Sequence, residues 1–135
     1  MDTESFSEFL LSSDSLWVFK GNSIIFRSSK EGLLPLLDYI EQFAPYRDSV
    51  RIFDKIMGNA AALLSIKAGC REVYSPFGSE LAVKTLSNYG IKYHILEIVP
   101  HIQNRSKEGM CPMEKLSLGK NPDEFFKLLR HEKLK

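Results

Sequence analysis

Apolar positions change period several times along the chain. From Ser5 to Leu11, the residues Phe6, Phe9 and Leu10 recur at helical spacing, with Thr3 as N-cap and Ser12-Ser13-Asp14 as the stop. The runs Leu16 to Lys20 and Ser23 to Arg27 are rich in aromatic and β-branched residues and flank Gly21-Asn22, which predicts a hairpin. A helix is expected over 33–43, because Leu33, Leu36, Leu37, Ile40 and Phe43 share one face before Ala44-Pro45 ends it.

The next stretch repeats one order. Val50 to Phe53 reads as a strand, Ile56 to Ala68 as a helix closed by Gly69, and Glu72 to Tyr74 as a strand. Ser79 to Tyr89 then reads as a helix closed by Gly90, and Ile91 to Val99 as a strand ending at Pro100. Strand, helix, glycine, strand, helix, glycine, strand is the pattern of consecutive parallel βαβ units. With the hairpin it predicts an α/β fold in which a mixed sheet carries helices on both faces. His101 to Gly109 is a polar loop, Pro112 to Leu118 a short helix, and Asn121-Pro122 the start of a last helix with Asn121 as N-cap. No linker or repeat interrupts the 135 residues, so one domain over 1–135 is expected.

Charge narrows the function classes little. The formal net charge is +1, with 18 Lys+Arg against 17 Asp+Glu, which gives no strong nucleic-acid signal. No apolar run approaches bilayer length, and Met1-Asp2-Thr3-Glu4 lacks the order of a signal peptide. Cys70 and Cys111 then read as reduced thiols of a cytoplasmic protein. His94, His101 and His131 show no zinc-type spacing with either cysteine, so neither metal nor cofactor is expected. Glycine-rich nucleotide motifs and a G-x-S-x-G turn are missing too.

In an open α/β sheet, ligands bind beyond the carboxyl ends of the parallel strands. That edge collects Asp54-Lys55, Ser75 to Glu80, and the loop after Pro100. Asp54 fits the N-cap of the helix from Ile56, and Lys55 then falls in its first turn. The helix dipole disfavours a cation there by ~0.3–1 kcal/mol, which points to an anionic partner, either Asp54 or a ligand. The plain alternative is a capped helix with a solvated lysine. Gly58 and Ala60 to Ala62 leave little side-chain volume, which suits core packing or close approach of a ligand. Cys111 precedes Pro112 and fits an N-cap, with Glu114 at the third helical position. A cysteine at a helix start is a candidate nucleophile, and a half-buried loop thiol is the alternative. Asn104 and Arg105 add an amide and a guanidinium suited to phosphate or carboxylate.

These segments carry a resemblance. Asp54-Lys55-x-x-Gly58-x-Ala60-Ala61-Ala62, Asn104-Arg105 and Met110-Cys111-Pro112-Met113-Glu114 resemble a family of short bacterial and archaeal proteins of unknown function with a cytidine deaminase-like fold. The likeness runs from the hairpin to Glu114. It implies a three-layer α/β/α sandwich. Zinc deaminases place His-x-Glu at one helix start and Pro-Cys-x-x-Cys at the next. The matching places here hold Asp54-Lys55 and Ser75-Pro76-Phe77-Gly78-Ser79, so the zinc ligands are missing and deamination of a nucleobase is not expected.

The resemblance leaves a pocket lined by Asp54, Lys55, Ser79, Asn104, Arg105, Cys111 and Glu114. The resulting expectation is a binding or regulatory domain for a small anionic, nucleotide-like ligand. The alternative is a metal-free enzyme on a phosphorylated or nucleotide-like substrate, with Cys111 as nucleophile or Asp54 and Lys55 as acid and base. A protein-interaction module and a homodimer also stay open.

Overall fold

The computed structural model describes residues 2–43, 49–102 and 111–133. The chain opens with α1 (Thr3–Leu11), whose N-cap is Asp2 rather than Thr3, its side chain accepting from the Ser5 amide. The expected hairpin follows as β1 (Leu16–Lys20) and β2 (Ser23–Ser28). Gly21 sits at φ 61°, where a side chain would be strained. After these come α2 (Leu34–Gln42), β3 (Val50–Asp54), β4 (Ile56–Met57) and α3 (Asn59–Lys67). The chain continues through β5 (Cys70–Ser79), α4 (Glu80–Asn88), β6 (Lys92–Val99), α5 (Pro112–Ser117) and α6 (Pro122–Lys133). The start of α6 is a reciprocal cap: Glu124 N donates to Asn121 Oδ1, and Asn121 N to Glu124 Oε1.

The strands form one mixed six-stranded sheet. β1 runs antiparallel to both β2 and β3. β3 and β4 pair in succession, and in parallel, along one edge of β5, and β6 pairs in parallel along the other. The break between β3 and β4 falls at Lys55, inside the segment expected to begin a helix.

Alternation in the strands divides the core. Leu16, Val18, Val50, Ile52 and Val73 join residues of α2, α3, α4 and α6 in one cluster. Trp17, Phe19, Phe53 and Tyr74 turn to the opposite face and pack against Phe6 and Phe9 of α1. The layers are therefore α1, the sheet, and the remaining helices. Crossovers of one hand that step in one direction leave their helices on the same face, which places α3 beside α4.

α3 is buried from Asn59 to Ser65 and apolar around most of its circumference. Such a helix is stable only when enclosed, and α2, α4, α5, α6 and β5 all contact it. Asn59, its one amide, is 3% exposed and fully engaged: Nδ2 donates to Ser117 Oγ at 2.9 Å, and Oδ1 accepts from Thr85 Oγ1. Together these bonds fix the amino end of α3 against α4 and α5.

Candidate ligand-binding cavity

A cavity of about 340 Å³ opens at the carboxyl end of β3. Because β1 is antiparallel to β3, Leu16 lies opposite Asp54 and the start of β1 reaches the same rim. Ser15, Glu31 to Leu33, Asp54 to Ile56, Gly58, Ala60, Ala61, Ile102, Cys111, Met113 and Glu114 form the wall. Asp54, Lys55, Cys111 and Glu114 are thus brought to one place from distant parts of the chain.

Their roles differ from the expected ones. α3 starts at Asn59 with Gly58 as N-cap, so Asp54 does not cap it. Ile56 and Met57, expected at the start of this helix, form β4 instead. Asp54 Oδ1 instead accepts from Ile56 N at 3.3 Å, in the turn between β3 and β4. Burial pushes the Asp54 carboxyl up to about 7, against the lowering effect of the Ile56 and Lys55 amides.

Lys55 belongs to the same turn and not to a helix. Its Nζ donates to Ser12 O at 2.9 Å and Asp14 O at 2.8 Å, and lies 4.7 Å from the centre of the Phe9 ring. Ser12 is the C-cap of α1, so the cation sits at a helix carboxyl end, where the dipole favours it. Placed at a helix amino end, it was expected to call for an anion; the structure removes that reason.

Glu114 supplies the cap that Gly58 cannot. From α5, its Oε1 accepts from Ala60 N at 3.2 Å. The side chain is 2% exposed, and its Oε2 is buried without a hydrogen-bond partner among the described residues. A Cβ on Gly58 would lie 2.7 Å from Glu114 Oε1 and 2.9 Å from Ile102 Cγ1, so only glycine lets the carboxylate come this close. Glu114 was expected at the third position of its own helix and on the pocket wall, and it caps a different helix instead. Cys111 is indeed the N-cap of α5, but no side chain caps that helix.

Cys111 is half-exposed on the cavity wall, with its amide donating to Ile102 O at 2.8 Å. Cys70 is buried, which pushes its thiol up to about 12. Ser79 is not brought to the cavity. It is fully buried and caps α4, Oγ accepting from Ala82 N at 3.1 Å. Asn104 and Arg105 lie outside the described residues. Among the described residues, no three His, Cys, Asp or Glu side chains are grouped to hold a metal ion. Glu31 and Ile102 line the cavity without having been singled out for it, whereas Gly58 stands where its small volume suits close approach of a ligand.

These features define a small α/β domain with a ligand-sized cavity where a buried carboxylate closes a helix start. The chain belongs to the DUF1893 family of domains of unknown function, whose model matches residues 6–133. It is similar to the crystal structure of a DUF1893 family protein (TM1506) from Thermotoga maritima, with a TM-score of 0.86 and 26% identity. That likeness covers 96% of this chain and 88% of the other. No curated protein matches the chain. No helix among the described residues is long and apolar enough to cross a membrane.

Proposed function

We propose that this domain binds a small molecule in the cavity at the end of β3, and that the bound group presents N–H donors to Glu114 and Asp54. The observation that carries this reading is Glu114 Oε2, a buried acceptor with no partner among the described residues, on the wall of an open cavity. Leaving a buried acceptor unpaired costs roughly 1–3 kcal/mol, and a ligand donor recovers that cost. Leu33, Ile56, Ala60, Ala61, Ile102 and Met113 supply apolar walls for a flat ring.

A nucleobase-like heterocycle fits this combination of buried acceptors and apolar walls. The ligand's charge is where this reading departs from the anion expected of Lys55 and Arg105. Glu114 occupies the amino end of α3, and the Lys55 ammonium is held by Ser12 and Asp14. Both free thiols suit a reducing cytoplasm.

The test is a thermal-shift series with free nucleobases, nucleosides, nucleotides and inorganic phosphate. A ring compound at ~100 times its Kd stabilises by ~2.7 kcal/mol. The shift should fall in Glu114→Gln, which keeps an oxygen for Ala60 but replaces the second acceptor with a donor. If phosphate alone raises the melting temperature, and does so equally in Glu114→Gln, the reading is wrong.

One observation favours catalysis as a second reading. Asp54, with its carboxyl near 7, shares the cavity with the half-exposed Cys111. A carboxyl in that range suits general acid–base work at neutral pH.

A further inference from the structure

We infer that the ligand of this cavity is a cation, its charge spread over a planar N–H-bearing group, because Asp54 and Glu114 both line the cavity and no cation among the described residues answers either; this deepens the ligand-binding reading and rests on it. An amidinium, a guanidinium and a protonated aminoheterocycle are groups of this kind.

The two carboxylates reach the cavity from different elements, Asp54 from the end of β3 and Glu114 from α5. Glu114 is 2% exposed, with Oε1 taken by the Ala60 amide and Oε2 buried without a partner. Asp54 Oδ1 accepts from the Ile56 amide. Among the described residues neither carboxylate belongs to a salt bridge.

The neighbouring elements do not restore the balance. The amino end of α3 carries roughly half a positive charge, so the full charge of the carboxylate that closes it leaves the junction negative. Lys55 also lines the cavity, but its Nζ is held by Ser12 O and Asp14 O and lies over the Phe9 ring. Burial raises the Asp54 carboxyl to about 7, and only the amides of Ile56 and Lys55 act against it, with no part played by the Lys55 ammonium. Glu31 and Cys111 are the other titratable groups on the wall. An anion would add to the negative charge, and a neutral donor would pair Oε2 but leave that charge unanswered. Buried charges persist when they are paired, and a cationic donor does both.

The walls select the shape of the cation. Leu33, Ile56, Ala60, Ala61 and Met113 present apolar surface. A planar, delocalised cation is more weakly hydrated than an ammonium, so it loses less on entering such a cavity, and its fork of N–H groups matches a carboxylate.

The experiment compares one ring with different charges by calorimetric titration of the full chain at neutral pH. The probes are benzamidine, a planar cation; benzamide, its neutral counterpart; benzylamine, a tetrahedral cation; and benzoate, an anion. Benzamidine should bind roughly tenfold more tightly than benzamide, the ratio expected when a hydrogen bond gains a charged partner. It should also exceed benzylamine, and benzoate should not bind. Binding of benzamidine should release protons, because a cation beside Asp54 draws its carboxyl below about 7. That release is read from the dependence of the heat on the buffer's ionisation enthalpy. Asp54→Asn, a near-isosteric change, should abolish the release and reduce the preference for benzamidine, and Glu114→Gln should reduce the preference too. Benzamide, benzylamine or benzoate binding as tightly as benzamidine overturns the inference. So does benzamidine binding without proton release, or a preference that both variants leave intact. Neutral nucleobases that bind where benzamidine does not would overturn it and leave the ligand-binding reading standing, whereas failure of every ring compound to bind would remove both.

Discussion

The carboxylate of Glu114 and the amide of Ala60 are 54 positions apart in the sequence, and Oε1 accepts the Ala60 N–H at 3.2 Å. One helix is capped by the side chain of another, and the cavity sits at that junction. Everything that holds Glu114 in place bears on the cavity: Gly58 leaves the space, and Ser117 Oγ bonds to the Glu114 carbonyl at 2.6 Å.

Glu114→Ala should therefore destabilise the fold by about 1–2 kcal/mol, the range for losing a helix cap. Gly58→Ala should cost about 1–3 kcal/mol, because its methyl displaces the same carboxylate. The two losses should not add in the double variant, since removing the Glu114 side chain also removes one of the groups the methyl meets. Chemical denaturation of the three variants measures this. Fully additive losses would separate Gly58 from Glu114.

Lys55→Ala should lower stability and leave ligand affinity nearly unchanged. The ammonium joins two carbonyls near the end of α1 and lies over Phe9, on the α1 side of the sheet. Losing charge-assisted bonds at a half-buried site costs on the order of 1–2 kcal/mol. Urea titration, with hydrogen exchange on the α1 amides, should show α1 loosening first. A variant of wild-type stability would show that the contact contributes nothing.

Asp54 makes stability depend on pH in an unusual direction for a carboxylate. Its folded value is about 7, above the unfolded value near ~3.9. The native state then holds the proton more tightly, so Asp54's contribution is greatest in acid and is lost as pH rises from ~4 to about 7. Asp54→Asn should flatten that part of the profile and stabilise the protein at pH ~8 by on the order of 1 kcal/mol after screening by solvent. Melting temperatures of both forms across this window decide it. Parallel profiles would show that Asp54 titrates as an ordinary carboxylate.

Cys111 should alkylate well before Cys70 in the native protein at neutral pH. The Cys70 thiol is 7% exposed and pushed up to about 12, so almost none of it is thiolate. Iodoacetamide labelling followed by peptide mass spectrometry gives the order. A ligand in the cavity should slow Cys111 and leave Cys70 unaffected. Slowing at both sites would indicate global stabilisation instead.

Most of the fold was legible in the sequence because its signals are local. Gly21-Asn22 between two aromatic runs produced the hairpin. Gly69 and Gly90, at φ 83° and 70°, ended the helices before β5 and β6. Alternating strand residues sorted themselves between two cores. The same signals placed Asp54, Lys55 and Cys111 beside one sheet edge, and Asn121 at the start of α6.

What failed to show depends on partners far away in the chain. The apolar pattern from Ile56 to Ala68 is continuous, so nothing local separates the short β4 from α3. That separation exists because Ile56 and Met57 pair with Phe77 and Gly78 of β5. It shifts the helix start to Asn59, takes Asp54 off the N-cap, and frees Lys55 to reach Ser12 and Asp14. Sequence by itself brought Asp54, Lys55, Cys111 and Glu114 to the carboxyl end of β3, and wrongly added Ser79 to them. Tertiary structure decided which are available to a ligand there, because a side chain's hydrogen bonds follow from neighbours that only folding brings within reach.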